Sequence, residues 1–230
     1  MKKLCALALA AVLAVTLAGC GDAASTPAAT PAPASEPAAP ATPPATAEDT
    51  AGPENGGSSI LVAYFSLAGE QYEVGVIEKG NTQLLAEEIA AQTGADLFAI
   101  QPVDPYPDTY EELLEVSQNE DPGNPPAIAA TVENFDEYDT VFVGYPIWWG
   151  DMPAIVQGFL QSYDWTGKTV IPFCTHAGSG LGRTQQRAEE LCPGATVLEG
   201  LDVRGQTAQQ DAAATAQAVT QWLDSHTLPE

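Results

Sequence analysis

Apolar runs and segments of helical periodicity alternate along the chain from residue 59 onward. Residues 60–65 read Ile-Leu-Val-Ala-Tyr-Phe, an unbroken apolar run typical of strands that are buried on both faces of a sheet. Between residues 82 and 93 the apolar side chains recur at helical spacing, and Gly94 follows as a C-cap. In the last strand-like segment, Gly200 is a position at which the strand can be interrupted. The whole pattern predicts strands at 60–65, 95–100, 140–145, 168–174 and 196–203, and helices at about 82–93, 108–118, 153–162, 181–191 and 208–223.

Five strands that alternate with five helices predict a doubly wound α/β fold. Right-handed crossovers make the sheet parallel and place helices on both of its faces, as a three-layer α/β/α sandwich. For five strands, 2-1-3-4-5 is the natural order across the sheet. Ligands of such folds bind beyond the carboxyl ends of the strands, where the order reverses between the first and third strands. A binding site is therefore expected at the loops that follow Phe65, Tyr145 and Cys174.

The N-terminal segment has the pattern of an export signal. Lys2 and Lys3 precede an apolar run at 4–19, which is too short for a comfortable membrane span. The residues Leu-Ala-Gly that precede Cys20 resemble a bacterial lipobox, in which the cysteine is acylated and becomes the new N-terminus. We therefore expect a lipoprotein signal peptide at 1–19 and a lipid anchor on Cys20 at the outer face of the cytoplasmic membrane. An ordinary signal peptide with a chance cysteine is the alternative.

The segment at 20–58 has the composition of a tether. Residues 21–59 contain no Val, Ile, Leu, Phe, Tyr or Trp, and 20 of these 39 residues are Ala or Pro. Because such a segment lacks the side chains that a core needs, we expect it to be disordered and partly polyproline-like. It would hold a single folded domain at 59–228 away from the lipid on Cys20, which is the one membrane contact that we expect.

The chain is strongly acidic. Once the signal peptide is removed, 31 acidic and 5 basic residues remain, which corresponds to a formal charge of −26. Nucleic acids and anionic lipids are therefore poor partners, because like charges repel. A redox partner that is basic at its contact face, or a small neutral ligand, is more compatible with this charge. Acidity that serves only solubility is the other interpretation.

Two cysteines, Cys174 and Cys192, remain in the predicted domain. Cys174 ends the fourth predicted strand, and Cys192 ends the helix that runs back from it. A helix of about thirteen residues separates its ends by roughly 20 Å, whereas a disulfide needs Cα atoms within about 7 Å. Two buried thiols are therefore expected in place of a disulfide.

The loop after the first strand ends with Gly80-Asn81-Thr82 at the start of a helix. Backbone N–H groups at a helix N-terminus, together with the hydroxyls of Ser66 and Thr82, suit a phosphate. Gly80 permits close approach of the backbone to a ligand. A plain N-cap at Asn81 or Thr82 is the alternative interpretation.

The other two loops have features that suit a flat ring. Trp148 and Trp149 follow the third strand directly, and two adjacent tryptophans cannot both enter one core. At least one should lie near the surface, where a heteroaromatic ring would stack on it; packing under the loop is the alternative. The loop at 174–180 contains two glycines and several polar groups that can approach a ring edge. A flexible turn with a solvated His176 is the alternative there.

Together the three loops resemble the flavodoxin family. The motifs are Ile-Leu-Val-Ala-Tyr-Phe-Ser at 60–66, Gly-Asn-Thr at 80–82, Gly-Tyr-Pro-Ile-Trp-Trp-Gly at 144–150 and Phe-Cys-Thr-His-Ala-Gly-Ser-Gly at 173–180. The resemblance extends over nearly all of residues 60–224 and implies a flavodoxin-like fold with FMN as cofactor. It places the following residues at the cofactor: Ser66, Leu67, Ala68, Gly80, Asn81, Thr82, Pro146, Ile147, Trp148, Trp149, Gly150, Thr175, His176, Gly178, Ser179 and Gly180.

One segment departs from the family pattern. Ordinary flavodoxins have a compact phosphate loop, whereas about eleven extra residues at 69–79 interrupt it here. The resemblance leaves open which of residues 67–79 touch the phosphate, and two other roles are open for the extra residues. They cover the flavin, or they contact a partner protein.

The function that the resemblance implies is electron transfer through bound FMN, which requires no catalytic side chain. An FMN-dependent reductase of quinones or similar acceptors is the first alternative, because one fold hosts many functions. A flavin-free module that binds another protein or a small ligand is the second. No metal is expected, because no spacing of His and Cys fits a metal site.

Overall fold

The computed structural model describes residues 59–226. The predicted signal peptide, Cys20 and the predicted linker lie outside the described residues. The strands, in chain order, are β1 (Ile60–Tyr64), β2 (Gly69–Gln71), β3 (Gly75–Ile77), β4 (Asp96–Ala99), β5 (Thr140–Pro146), β6 (Thr169–His176), β7 (Thr196–Val197) and β8 (Leu201–Arg204). The helices are α1 (Asn81–Thr93), α2 (Tyr110–Gln118), α3 (Ala154–Gln161), α4 (Thr184–Leu191), α5 (Gly205–Gln210) and α6 (Ala212–Asp224), with a 3-10 turn at Phe135–Glu137. Within residues 59–226, no helix has the length and apolar character needed to cross a bilayer.

The main sheet is parallel and confirms the predicted fold class. β1 lies between β4 and β5, and β6 follows β5. Both β7 and β8 pair with β6, at the far side of the sheet. When β7 and β8 are counted as the fifth predicted strand, the order is 2-1-3-4-5. The reversal between β1 and β5 brings the loops that follow them to one edge of the sheet.

Each face of the sheet has its own core because the strands are apolar on both faces. Leu61 and Val62 are adjacent in β1 and point to opposite faces, and both are fully buried. Leu61 belongs to the cluster that includes Ile155 of α3. Val62 belongs to the cluster that includes Leu85 of α1 and Val219 of α6. The unbroken apolar run of β1 is therefore explained by a helical layer on each side.

The fifth predicted strand is broken, as the sequence allowed. Pro172 in β6 has no N–H to donate to a neighbouring strand. The Gln185 side chain of α4 bonds the strand edge in its place, because its Nε2 donates to the Leu198 carbonyl over 3.0 Å and its Oε1 accepts the Gly200 N–H over 3.1 Å. A Cβ at Gly200 would lie 2.7 Å from the Pro172 carbonyl oxygen, so glycine is required at this position.

Two elements differ from the prediction. Residues 69–79 contain the antiparallel β2–β3 hairpin, whereas no element was predicted there. The last helix, predicted as one piece from residue 208, is the pair α5 and α6, and it begins at Gly205. Asp211 separates the two helices and caps α6, because its carboxylate accepts the Ala214 N–H over 2.9 Å. A single capping side chain therefore divides a segment whose apolar spacing is continuous.

Cys174 and Cys192 are free thiols, 0% and 1% exposed, which confirms the prediction of two buried thiols. Burial raises the pKa of the Cys192 thiol to about 12. Burial, with a smaller contribution from the nearby charge of Asp202, also raises the pKa of Cys174. Neither thiol is therefore ionised near neutral pH.

Candidate functional site

The loops after β1, β5 and β6 meet at one cavity at the carboxyl edge of the sheet, where the strand order predicts a ligand. Its volume is about 280 Å³. The residues that line it are Gln71, Tyr72, Glu73, Asn81, Tyr110, Leu113, Leu114, Ser117, Pro146, Ile147, Trp148, Trp149, Thr175, His176, Ala177, Gly205 and Gln206. Most of these side chains are apolar or aromatic, and a few polar groups converge among them, as in small-molecule sites generally.

Trp149 stands at this cavity in a strained turn. Trp148 and Asp151 exchange backbone hydrogen bonds of 2.9 and 3.0 Å, so Trp149 and Gly150 are the two central residues of the turn. Their φ angles are 54° and 80°, the pattern of a type I′ turn, in which Asn-Gly is usual. A tryptophan in this conformation costs about 1–2 kcal/mol. The ring is 63% exposed, and its Nε1 donates to Ser117 Oγ over 3.1 Å. A strained backbone that holds a large exposed ring beside a cavity points to a ligand that covers the ring.

Trp148 has the opposite environment and packs into the protein. Its ring meets Phe65 and Tyr106 edge-on, with centroid distances of 5.7 and 5.5 Å. The Tyr106 hydroxyl donates to Glu120 Oε1 over 2.6 Å. Burial, and then this hydrogen bond, raise the pKa of Tyr106 well above its ordinary value, so the hydroxyl keeps its proton. The two tryptophans therefore separate as predicted, because Trp148 secures the loop and Trp149 faces outward.

Thr175 and His176 form the part of the cavity wall that comes from β6. The Thr175 hydroxyl lies 2.8 Å from Thr82 Oγ1, and this buried pair joins β6 to the first turn of α1. His176 Nδ1 accepts the Gly178 N–H over 2.8 Å, so Nε2 carries the proton and donates to Asp202 over 2.9 Å. Both ring nitrogens are thus engaged within the protein. His176 therefore shapes the loop at the wall of the cavity.

The N-terminus of α1 contributes Asn81 to the cavity. Asn81 Oδ1 is buried and has no hydrogen-bond partner among the described residues. Ser66 Oγ accepts the Gln83 N–H over 3.0 Å and so caps the helix. Gly80 is buried between these groups, and a Cβ there would collide with the Ser66 hydroxyl and the Leu67 carbonyl. Glycine therefore lets the loop pack closely against the start of the helix.

Seven of the sixteen predicted cofactor residues line the cavity: Asn81, Pro146, Ile147, Trp148, Trp149, Thr175 and His176. Nine lie in the same loops but outside its lining: Ser66, Leu67, Ala68, Gly80, Thr82, Gly150, Gly178, Ser179 and Gly180. The far part of the third loop packs against the tryptophan turn, because the Arg183 N–H donates to the Gly150 carbonyl over 3.0 Å. Contact of all sixteen residues with the cofactor stays a prediction.

Sequence reasoning missed cavity residues on three elements. The face of α2 contributes a stripe at spacings of three and four, which is readable in an otherwise acidic helix: Tyr110, Leu113, Leu114 and Ser117. The hairpin tip at 71–73 comes from strands of only three residues, too short for a periodic signal. Gly205 and Gln206 precede the predicted start of the last helix.

All five basic residues within 59–226 have polar partners. These are Glu87 for Lys79, three backbone carbonyls for Lys168, Asp151 for Arg183 and Arg187, and Glu73 for Arg204. An anion at the cavity therefore depends on N–H groups and hydroxyls at the start of α1. In the described part of the chain, no cluster of His, Cys, Asp and Glu side chains is able to hold a metal ion.

The match to a family model decides the identity of the domain. A model of the flavodoxin family matches residues 59–225. The chain belongs to the flavodoxin family. It is similar to a candidate flavoprotein from Bacteroides eggerthii DSM 20697, with 34% identity over 74% of this chain and 98% of that chain and a TM-score of 0.58. It is also similar to a candidate flavoprotein from Bacteroides uniformis ATCC 8492, with 27% identity over 72% of this chain and 97% of that chain and a TM-score of 0.57. No curated protein matches the chain.

Membership of the flavodoxin family supports FMN as the cofactor, and the residues of the cavity fit this group. The unpaired Asn81 Oδ1 is able to accept a hydrogen bond from a ribityl hydroxyl. The exposed face of Trp149 suits a flat aromatic ring. The N–H groups in the first turn of α1 suit a phosphate.

Proposed function

We propose that this flavodoxin domain binds FMN in the cavity described above and carries electrons at the outer face of the cytoplasmic membrane. One observation carries the proposal: three strand-end loops meet at a cavity that holds the exposed ring of Trp149 and the buried, unpaired Oδ1 of Asn81. Each of these groups gains an interaction when a flavin nucleotide binds. The strand order places this cavity where doubly wound folds bind their ligands.

The residues of the cavity bind and orient the cofactor. Bound FMN supplies the redox chemistry, and the protein supplies position and electrostatics. Trp149 covers one face of the ring and excludes water from it. Asn81 and Thr175 both line the cavity and carry polar side-chain groups that are able to orient a ligand. One-electron transfer needs no side-chain acid or base.

The acidity of the domain suits a carrier of low potential with a basic partner. Residues 59–226 contain 25 acidic and 5 basic residues, and Glu73 lies in the cavity lining. This negative field disfavours the addition of electrons at the cavity and therefore lowers the midpoint potential. It also accelerates encounter with a partner that is basic at its contact face.

Titration of the purified full-length chain with FMN tests the cofactor proposal. We expect a yellow complex of about one FMN per chain, with quenched flavin fluorescence, and reversible uptake of electrons in a potentiometric titration. A chain that stays colourless in excess FMN would refute the proposal and would favour a flavin-free binding module.

A lipid on Cys20 is the proposed attachment to the membrane. Replacement of Cys20 by Ala should move the protein from the membrane fraction to the soluble fraction of cells, whereas the matched variant Cys192→Ala should stay with the membrane. Equal membrane retention of all three proteins would contradict the lipid anchor.

A second candidate function is an FMN-dependent reductase, and one observation favours it. A cavity of about 250 Å³ adjoins the first one across the tryptophan turn and is lined by both Trp148 and Trp149 together with Glu120, Gln157 and Arg183. A small acceptor such as a quinone would have a place there. Steady turnover of NADH with a quinone would support this function, although NADH should be scarce outside the cell. Reduction of a protein partner without such turnover would support the carrier.

A further inference from the structure

We infer that the β2–β3 hairpin is a flap of the cofactor site, in which Tyr72 covers the flavin ring and Glu73 secures the flap. The inference rests on the proposed FMN binding. The three residues at the tip of the hairpin, Gln71, Tyr72 and Glu73, all line the cavity. The hairpin pairs with no strand of the main sheet. Its strands therefore serve mainly to bring these three residues to the cavity.

Hydrogen bonds of Glu70 and close packing at Gly69 fix the base of the hairpin beside α2. The Glu70 N–H donates to the Asp108 carbonyl over 3.1 Å, and the Glu70 carboxylate accepts the Tyr110 N–H over 3.1 Å. Gly69 has a φ of 87°, and a Cβ there would lie 3.0 Å from the same Asp108 oxygen. Because the base is fixed, the tip is held at a defined place beside the cavity.

The tip itself is held by contacts that break easily. The Tyr72 ring stacks on Tyr110, with centroids 5.8 Å apart and an interplanar angle of 28°, yet Tyr72 is still 58% exposed. Glu73 lies 3.6 Å from Arg204, which also donates to the Ala177 carbonyl of the third loop over 3.1 Å. An exposed ion pair of this kind adds little stability. The tip is therefore able to open for a ligand and to close over it.

Tyr72 and Trp149 are exposed rings at the two ends of the cavity face of α2. Tyr72 contacts Tyr110, and Trp149 bonds to Ser117. These two α2 residues are seven positions apart, which is about 10 Å along a helix. The α2 residues that hold Tyr72 and Trp149 are therefore about two helical turns apart, beside the cavity that both rings line.

The chemistry of the tip favours a cofactor over a partner protein as the group that it contacts. Tyr72 is an aromatic residue of the cavity lining, whereas the hairpin residue Val76 is 82% exposed and does not line the cavity. Val76 is therefore the matched control, because it lies on the same hairpin and is more exposed than Tyr72.

Binding of FMN and of riboflavin to the full-length chain tests the flap. Tyr72→Ala should weaken the binding of both flavins by the same factor, on the order of tenfold, because stacking acts on the ring that they share. Val76→Ala should leave both dissociation constants unchanged. Thermal unfolding of the FMN-free variants checks that each is folded. Glu73→Gln should speed FMN release about twofold at low salt, and added salt should reduce this difference.

The outcomes separate the flap from the proposed function. If the wild type binds FMN but Tyr72→Ala leaves both constants unchanged, the flap is wrong and FMN binding stands. If Tyr72→Ala weakens the binding of FMN but not of riboflavin, the flap is also wrong, because Tyr72 would then act at the phosphate. A wild type that binds neither flavin would refute the proposed function itself.

Discussion

Replacement of Asn81 by Ala should stabilise the FMN-free protein and weaken its binding of FMN. Asn81 Oδ1 is buried without a hydrogen-bond partner in the described chain, and a buried unpaired acceptor costs about 1–3 kcal/mol. Ala is also the better helix former by a few tenths of a kcal/mol, and Asn81 is the first residue of α1. After allowance for lost packing, we expect the free energy of unfolding to rise by about 1 kcal/mol.

The effect on FMN binding has the opposite sign because the cofactor satisfies the same oxygen. A hydrogen bond between neutral groups contributes about 0.5–1.5 kcal/mol, so the dissociation constant should rise about two- to tenfold. Urea denaturation of the FMN-free protein measures the first effect. Quenching of flavin fluorescence at fixed ionic strength measures the second.

Gly205→Ala provides an independent check because it acts on the same side chain. A Cβ at Gly205 would lie 2.5 Å from Asn81 Nδ2 and 3.1 Å from Asn81 Cγ, so the amide must move. The single variant should weaken FMN binding about as much as Asn81→Ala. The double variant should bind FMN no more weakly than either single variant, because no amide is left to displace. The two substitutions would then have a coupling free energy of about 1 kcal/mol. Additive effects, or a clear loss of FMN-free stability in Asn81→Ala, would refute this account of the site.

Four further predictions concern the core. Lys168 donates from Nζ to three backbone carbonyls at 2.7–3.3 Å, so Lys168→Met should destabilise the protein by about 3 kcal/mol in urea denaturation and Lys168→Arg by less. A Cβ at Gly144 would collide with the Phe173 ring, so Gly144→Ala should cost about 1–3 kcal/mol, and Phe173→Leu in the same chain should recover part of that loss. Cys174 and Cys192 should resist a thiol reagent at pH 8 until the protein unfolds, because burial raises their pKa values. Above pH 9 Cys192 ionises in the unfolded chain but keeps its proton in the folded protein. The free energy of unfolding should therefore fall as the pH rises toward about 12, and Cys192→Ser should lessen that fall.

The sequence by itself determined the sheet and the place of the site. β1 is apolar at every position, and only a strand covered on both faces tolerates this, so the parallel sheet with two helical layers followed. The strand order then selected the loops after Phe65, Tyr145 and Cys174, which do meet at one cavity. Gly200 likewise indicated the break in the last strand. These features are local, because they depend on periodicity and on the hydrogen-bonding capacity of single residues.

Only the tertiary structure decided that side chains of α2 and of the β2–β3 hairpin also surround the cavity. Tyr72 meets Tyr110 across 38 positions, and Trp149 bonds to Ser117 across 32. Neither pair leaves a periodic signal, because each depends on how α2 packs beside the sheet edge. The pairing of β2 with β3 within residues 69–79 was hidden for a related reason, since strands of three residues are held by their surroundings more than by their own pattern. Local sequence therefore determines where the strands end, and packing between distant segments determines what a ligand touches there.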